Sequence, residues 1–227
     1  MKNFESIIRK AYESKVNVMG WGTHGIGKTA IIEGLEEDGF YVKTIILSQS
    51  DPLVLGGYPG REELRYLNDA SDAEVNDRVV EYMTTFAKPQ WIIDCDDAHA
   101  RGLKVLVFLD EFNRADRFAL AAAMRLVNEG EISGHKVPAD TVFVSACNPE
   151  TENDSDLIPL NDPTKDRWCH VPIHSDAKTW LKWAKGAGVN GFVTGFVATN
   201  EDRLNAYDLG DMFDNQVMKR IKPTTRS

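Results

Sequence analysis

Eight consecutive residues, Gly22-Thr23-His24-Gly25-Ile26-Gly27-Lys28-Thr29, satisfy the pattern G-x-x-x-x-G-K-[ST] at every constrained position. The glycines let the backbone turn so that successive N–H groups point at one place. Lys28 adds a point charge there, and Thr29 a hydroxyl that can reach Mg²⁺. Such a loop works only where a strand ends and a helix begins, because the free N–H groups of the helix start face the anion. The flanks have that order: Val16-Asn17-Val18-Met19 reads as a short strand, and residues 28–37 carry apolar side chains at helical spacing. The chain is therefore expected to be an α/β protein that binds phosphate groups.

Further along, Val105-Leu106-Val107-Phe108-Leu109 is a continuous apolar run of strand length ending in Asp110-Glu111. Apolar runs without alternation mark strands buried on both faces of a parallel sheet, so both carboxylates are expected at the C-terminal edge, beside the phosphate loop. There Asp110 can hold Mg²⁺ through water, and Glu111 can orient an attacking water as general base. Together they imply hydrolysis of a nucleotide.

Other strands are expected at residues 40–47, 141–146 and, with Pro172 restricting it to an edge, 169–173. Asp116 is placed to cap a helix running to about Asn128 with Phe118, Ala122 and Leu126 on one stripe, and Gly130 to stop it. A small hairpin follows, turning at Ser133-Gly134. Residues 53–104 resist simple reading. Their breakers at 56–60, a stretch at 73–86 compatible with helix and the polar run Asp94-Cys95-Asp96-Asp97-Ala98-His99 are read as an elaborate insertion. After residue 174, Trp180, Trp183 and Ala184, then Phe192, Phe196 and Val197, suggest two helices of a separate small domain.

Composition narrows the class. Of 227 residues, 42% are hydrophobic, enough for one large core. With 35 carboxylates against 26 Lys plus Arg, the net charge of −9 argues against a surface built mainly to hold a nucleic-acid duplex. Three widely spaced cysteines, Cys95, Cys147 and Cys169, suggest a reduced compartment, and the charged N-terminus lacks a signal-peptide centre, so a cytoplasmic location without membrane anchor is expected.

Leu109-Asp110-Glu111-Phe112-Asn113-Arg114-Ala115 resembles the D-E-[hydrophobic]-N-R-A signature of MoxR-like and dynein-related AAA+ ATPases. The following helix and Ser145-Ala146-Cys147-Asn148-Pro149 are similar to later segments of that family, and Asp166-Arg167-Trp168 to its L-D-R-F motif, with Lys165 for Leu and Trp168 for Phe. The resemblance covers residues 16–174. It implies a five-stranded parallel sheet of order 5-1-4-3-2 and a core over residues 1–174 carrying the insertion. Residues 175–227 would start a helical lid truncated at the sensor-2 motif, represented by Arg226 in Thr225-Arg226-Ser227, the alternative being a short natural lid in which Arg226 is a terminal charge. It implies that Asn148 contacts the γ-phosphate or attacking water, and that Arg167 is an arginine finger donated to a neighbouring subunit, with Arg114 and Arg117 as rivals for subunit contacts. It further implies Mg²⁺–ATP as cofactor pair, a self-assembled ring, expected to be a hexamer, a chaperone-like action on a protein client through loops in residues 53–100, and a phage or bacterial source. Alternatives remain at this point: a nucleic-acid motor or loader, an assembly module that binds nucleotide without turnover, and GTP in place of ATP, since nothing in residues 22–29 reads the base.

Three signals are read as structural. The Asp94 to His99 cluster lacks a second close ligand pair and is expected to be a solvated loop, not a zinc site. His24 is expected to face solvent, and the tryptophans at 180 and 183 to fill a lid core.

Overall fold

The structure, a computed structural model, describes residues 2–23, 25–64, 81–148, 157–174 and 176–204. An amphipathic helix α1 (Lys2–Ser14) leads into strand β1 (Val18–Trp21), a glycine-rich loop and helix α2 (Lys28–Glu33). A 3-10 turn (Gly34–Asp38) completes the helical stretch, so the expected helix over 28–37 changes winding halfway, at Gly34. Strand β2 (Phe40–Ile46) follows, then a short helix α3 (Pro52–Gly56) capped by Asp51, whose carboxylate accepts the Leu53 N–H.

Residues 59–100 hold a hairpin and a helix. Strands β3 (Pro59–Leu64) and β4 (Glu81–Phe86) pair antiparallel, and helix α4 (Gln90–Ala100) runs back along the sheet. Both expectations for this span need correction. The part of 73–86 that is described, from Glu81 on, is strand: it pairs along its length with β3, and Tyr82, Thr84, Thr85 and Phe86 favour extended backbone. The polar run at 94–99 is not a loop but the second half of α4. It turns Cys95 and Ala98 inward at full burial and leaves the carboxylates outside.

Strand β5 (Lys104–Asp110) ends in the expected carboxylates, and helix α5 (Arg117–Glu129) is capped by Asp116, which accepts from the N–H groups of Phe118 and Ala119. Gly130, at φ 63°, stops it in the left-handed conformation. The buried stripe is offset from the expected one: Ala119, Ala123, Leu126 and Val127 face inward, while Phe118 is 79% exposed. Alanines let the helix approach its neighbours closely, which size-based patterning does not register. Strands β6 (Glu131–Ile132) and β7 (His135–Lys136) form the small hairpin, with Ser133 and Gly134 both at positive φ, as a type I′ turn requires.

Strand β8 (Val142–Cys147), a single-turn helix α6 (Asp162–Lys165) and edge strand β9 (Cys169–Pro172) complete the sheet. The five strands lie parallel in the order β2-β5-β8-β1-β9. The other four strands among the described residues form the antiparallel pairs β3–β4 and β6–β7. With those set aside, the sheet strands stand second, third, fourth, first and fifth in chain order across the sheet. β5 shows why the layers hold: Val105, Val107 and Leu109 enter the core shared with α4 and α5, while Leu106 and Phe108 enter the core shared with α1 and α2. Successive side chains of a strand point to opposite faces, so one fully apolar strand serves both cores.

Helices α7 (Ala177–Gly186) and α8 (Gly191–Thr199) pack on each other around their own small core of Trp180, Ala184, Val197 and Leu204. Trp183, Phe192 and Phe196, expected with them, are largely exposed. His24, Pro149 and Arg226, with residues 73–80 of the expected helix and everything beyond 204, lie outside the described residues.

Candidate functional site

The sequence folds so that three loop segments meet at the C-terminal ends of β1, β5 and β8, adjacent strands in the sheet. From β1 comes the glycine-rich loop of residues 22–27. Gly22 N–H donates to the Cys147 carbonyl at 3.1 Å, stitching the loop's start to the end of β8. Any Cβ at Gly22 would stand 2.4 Å from Ile26 Cδ1 and 2.9 Å from the Ile173 carbonyl oxygen, so only glycine fits. Gly27, at φ 85°, sits left-handed immediately before α2, where a side chain would be strained.

Lys28 is 9% exposed. Its ammonium turns back onto the loop, donating to the Gly22 carbonyl at 2.6 Å, the Thr23 carbonyl at 3.1 Å and Asn148 Oδ1 at 3.0 Å. Three acceptors match the three donors of an ammonium, which is how a buried cation is tolerated. Thr29 Oγ1 donates to Asp110 Oδ2 at 2.9 Å across 81 residues of chain. The other Asp110 oxygen accepts the Glu111 N–H at 2.9 Å.

Glu111 takes φ 54°, a left-handed conformation uncommon for a residue with a side chain. That turn lifts its carboxylate out of the strand direction, where the Ser48 hydroxyl, beyond the end of neighbouring β2, donates to it. Backbone outliers of this kind concentrate at functional sites. Gly25, Gly27, Lys28, Thr29, Asp110, Glu111, Arg114, Ala146 and Asn148 line one cleft of about 60 Å³. Drug-sized pockets run to about 300–1,000 Å³, so this cleft is a small one.

The structure thus brings Gly25, Gly27, Lys28, Thr29, Asp110, Glu111 and Asn148 around one point. Ile26 does not join them; it is 2% exposed and anchors the loop in the core. Arg167 stands apart: it is exposed on the turn after α6 and does not line the cleft. Its neighbour Trp168 is buried, its ring edge-to-face with Phe112 at 5.4 Å, which fixes the Arg167 turn to the segment following Glu111.

Two polar residues at this site have no role in the sequence reading, Asn113 and Ser48. Asn113 lies inside the quoted signature, and only the structure shows it to be 1% exposed. Ser48 becomes findable only once β2 and β5 are known to be neighbours. The buried thiol of Cys147, beneath the cleft, is pushed up to about 12 because burial disfavours the thiolate.

Among the described residues no cluster of three or more His, Cys, Asp or Glu could hold a metal by itself, and no helix is long and apolar enough to cross a membrane. Off the β2 edge lies a second depression of about 500 Å³, walled by Leu53, Val54 and Tyr58 on one side and by Pro89 and Trp91 on the other.

No protein-family model and no curated protein matches the chain. Among solved structures, the chain is similar to a candidate ATPase from Cytophaga hutchinsonii ATCC 33406, with a TM-score of 0.55 and 12% identity, over 84% of this chain and 52% of that one. At that identity the likeness is one of fold, and this chain spans about half the length of that protein.

Proposed function

We propose that this chain is a MoxR-like AAA+ ATPase, which hydrolyses ATP in a ring of copies and uses the cycle to remodel a protein partner. The observation that carries the reading is the convergence of Lys28, the Thr29–Asp110 pair, Glu111 and Asn148 on one small cleft. The fold shared with the Cytophaga protein supports it.

Each residue has a chemical part. Lys28 exchanges its loop carbonyls for phosphate oxygens, so the buried ammonium is paired before and after binding. Thr29 and Asp110, two hard oxygens 2.9 Å apart, fit Mg²⁺, which when bound would offset phosphate charge. Glu111, held by Ser48, orients the attacking water as general base. Asn148 reaches the γ-phosphate or that water. The exposed Arg167 serves a neighbouring copy's nucleotide, and the depression near residues 53–58 and 87–91 handles the client.

The test is phosphate release from Mg²⁺–ATP across a range of protein concentrations. A specific rate that climbs with concentration, and that Arg167→Ala lowers by roughly 10³-fold or more as trans arginine fingers do, is expected. A rate independent of concentration and indifferent to Arg167→Ala refutes the shared site. Stimulation by DNA or RNA, lost at high salt, would point instead to a nucleic-acid motor.

A further inference from the structure

Asn148 is one residue beyond the end of β8, where the sheet no longer supplies a main-chain partner. Asn113, in the 3-10 turn Phe112–Arg114 after β5, supplies one from its side chain. Its Nδ2 donates to the Asn148 carbonyl at 2.8 Å, and its Oδ1 accepts the Asn148 N–H at 3.1 Å. A side-chain amide thus performs the reciprocal pairing of a neighbouring strand for one residue more. Both asparagines are buried, Asn113 at 1% and Asn148 at 8% exposure. The Asn113 main chain is tied in turn, its carbonyl accepting the Ile158 N–H at 2.8 Å. With its main-chain N–H and carbonyl both held, the Asn148 Cα is fixed in place, and from there Oδ1 lies 3.0 Å from Lys28 Nζ.

We propose that Asn113 is a positioning residue: its two hydrogen bonds to the Asn148 main chain aim the Asn148 amide at Lys28 and the phosphate site, and so set the rate of the chemical step. This rests on the ATPase reading above. Asn113 touches no substrate; it acts through Asn148, and that makes a distinctive prediction. Asn148→Ala removes Oδ1 but leaves the N–H and carbonyl that Asn113 holds. The stabilising role of Asn113 therefore survives in Asn148→Ala, and its catalytic role does not.

The experiment measures turnover at saturating ATP, the ATP dissociation constant and the melting temperature of the wild type, Asn113→Ala, Asn148→Ala and the double variant. Asn113→Ala is expected to lower turnover by about ten- to a hundredfold, the scale of a small misplacement, while the dissociation constant moves less than about threefold. In the Asn148→Ala background it should lower turnover no further, yet still lower the melting temperature. An equal further loss of turnover in that background overturns the proposal.

A second readout needs no turnover. The side-chain amide resonances of Asn148 in nucleotide-free, ¹⁵N-labelled protein, identified by their loss in Asn148→Ala, should shift in Asn113→Asp. That substitution keeps the shape of the side chain but removes the donor to the Asn148 carbonyl. Unshifted resonances overturn the proposal. If the wild type releases no phosphate, the ATPase reading alone falls, and the resonances still decide whether Asn113 positions Asn148.

Discussion

The Lys28 cleft at the end of the sheet and the α7–α8 pair treat side chains in opposite ways. At the first, polar groups are drawn in from water and paired within the chain: Lys28 by two carbonyls and Asn148, half-buried Thr29 by Asp110, the Asn148 main chain by Asn113. At the second, apolar groups are left in water, with Phe192 90% and Phe196 57% exposed beside a core of four residues. Buried polar groups are costly unless paired, so the first arrangement is rigid and specific to one geometry. Exposed aromatics tolerate many geometries. The contrast separates a paired polar cleft from an apolar surface that the described residues do not cover.

Thiol labelling should show the largest difference. Cys169 is exposed and Cys147 buried beneath the cleft, its thiol raised to about 12 by burial, as is that of buried Cys95. A mild aromatic disulfide reagent at neutral pH should titrate one thiol quickly. Cys147 should react only through opening of the core, slower by more than about 10³-fold given typical domain stabilities. Comparable rates for Cys147 and Cys169 would mean the core beneath the cleft is not closed.

Next in size, Glu111→Gln should lower phosphate release by about 10²–10⁴-fold, the usual worth of a general base, with ATP binding kept because the phosphate loop is untouched. Single-turnover phosphate release and ATP titration check this. Normal release would remove Glu111 from the chemistry.

Paired core and surface substitutions sharpen the contrast most finely. Phe108→Ala, at a position with no exposure in β5, should cost about 3–5 kcal/mol in denaturant unfolding. Phe192→Ser should stay within about 0.5 kcal/mol, as exposed positions do. If Phe192→Ser costs more than about 1 kcal/mol, and more at higher protein concentration, a second copy covers that face and the contrast breaks.

Local signals were readable wherever chemistry and neighbours in sequence coincide. The Gly22 to Thr29 pattern, the apolar run into Asp110-Glu111, the Asp116 cap and the Ser133-Gly134 turn each need only adjacent residues, and each stands where expected. Reading failed where burial is decided by a distant partner. Helix α4 hides in a polar sequence because its inward face rests on small or ambiguous residues, Cys95 and Ala98, under Trp91 and Ile92. Phe118 looked like core and is solvent-facing, since α5 approaches its neighbours through alanines.

By itself, then, the sequence determined where the glycine-rich turn of residues 22–27 falls, which strand carries carboxylates to its end, and where α5 begins and stops, because backbone geometry and capping act over a few residues. Only the tertiary structure decided that Thr29 meets Asp110, that Ser48 holds Glu111 and that Asn113 grips Asn148. Those contacts join residues 35 to 81 apart. They exist because β2, β5, β8 and β1 lie side by side, a strand order fixed by packing two cores on one sheet rather than by any local preference.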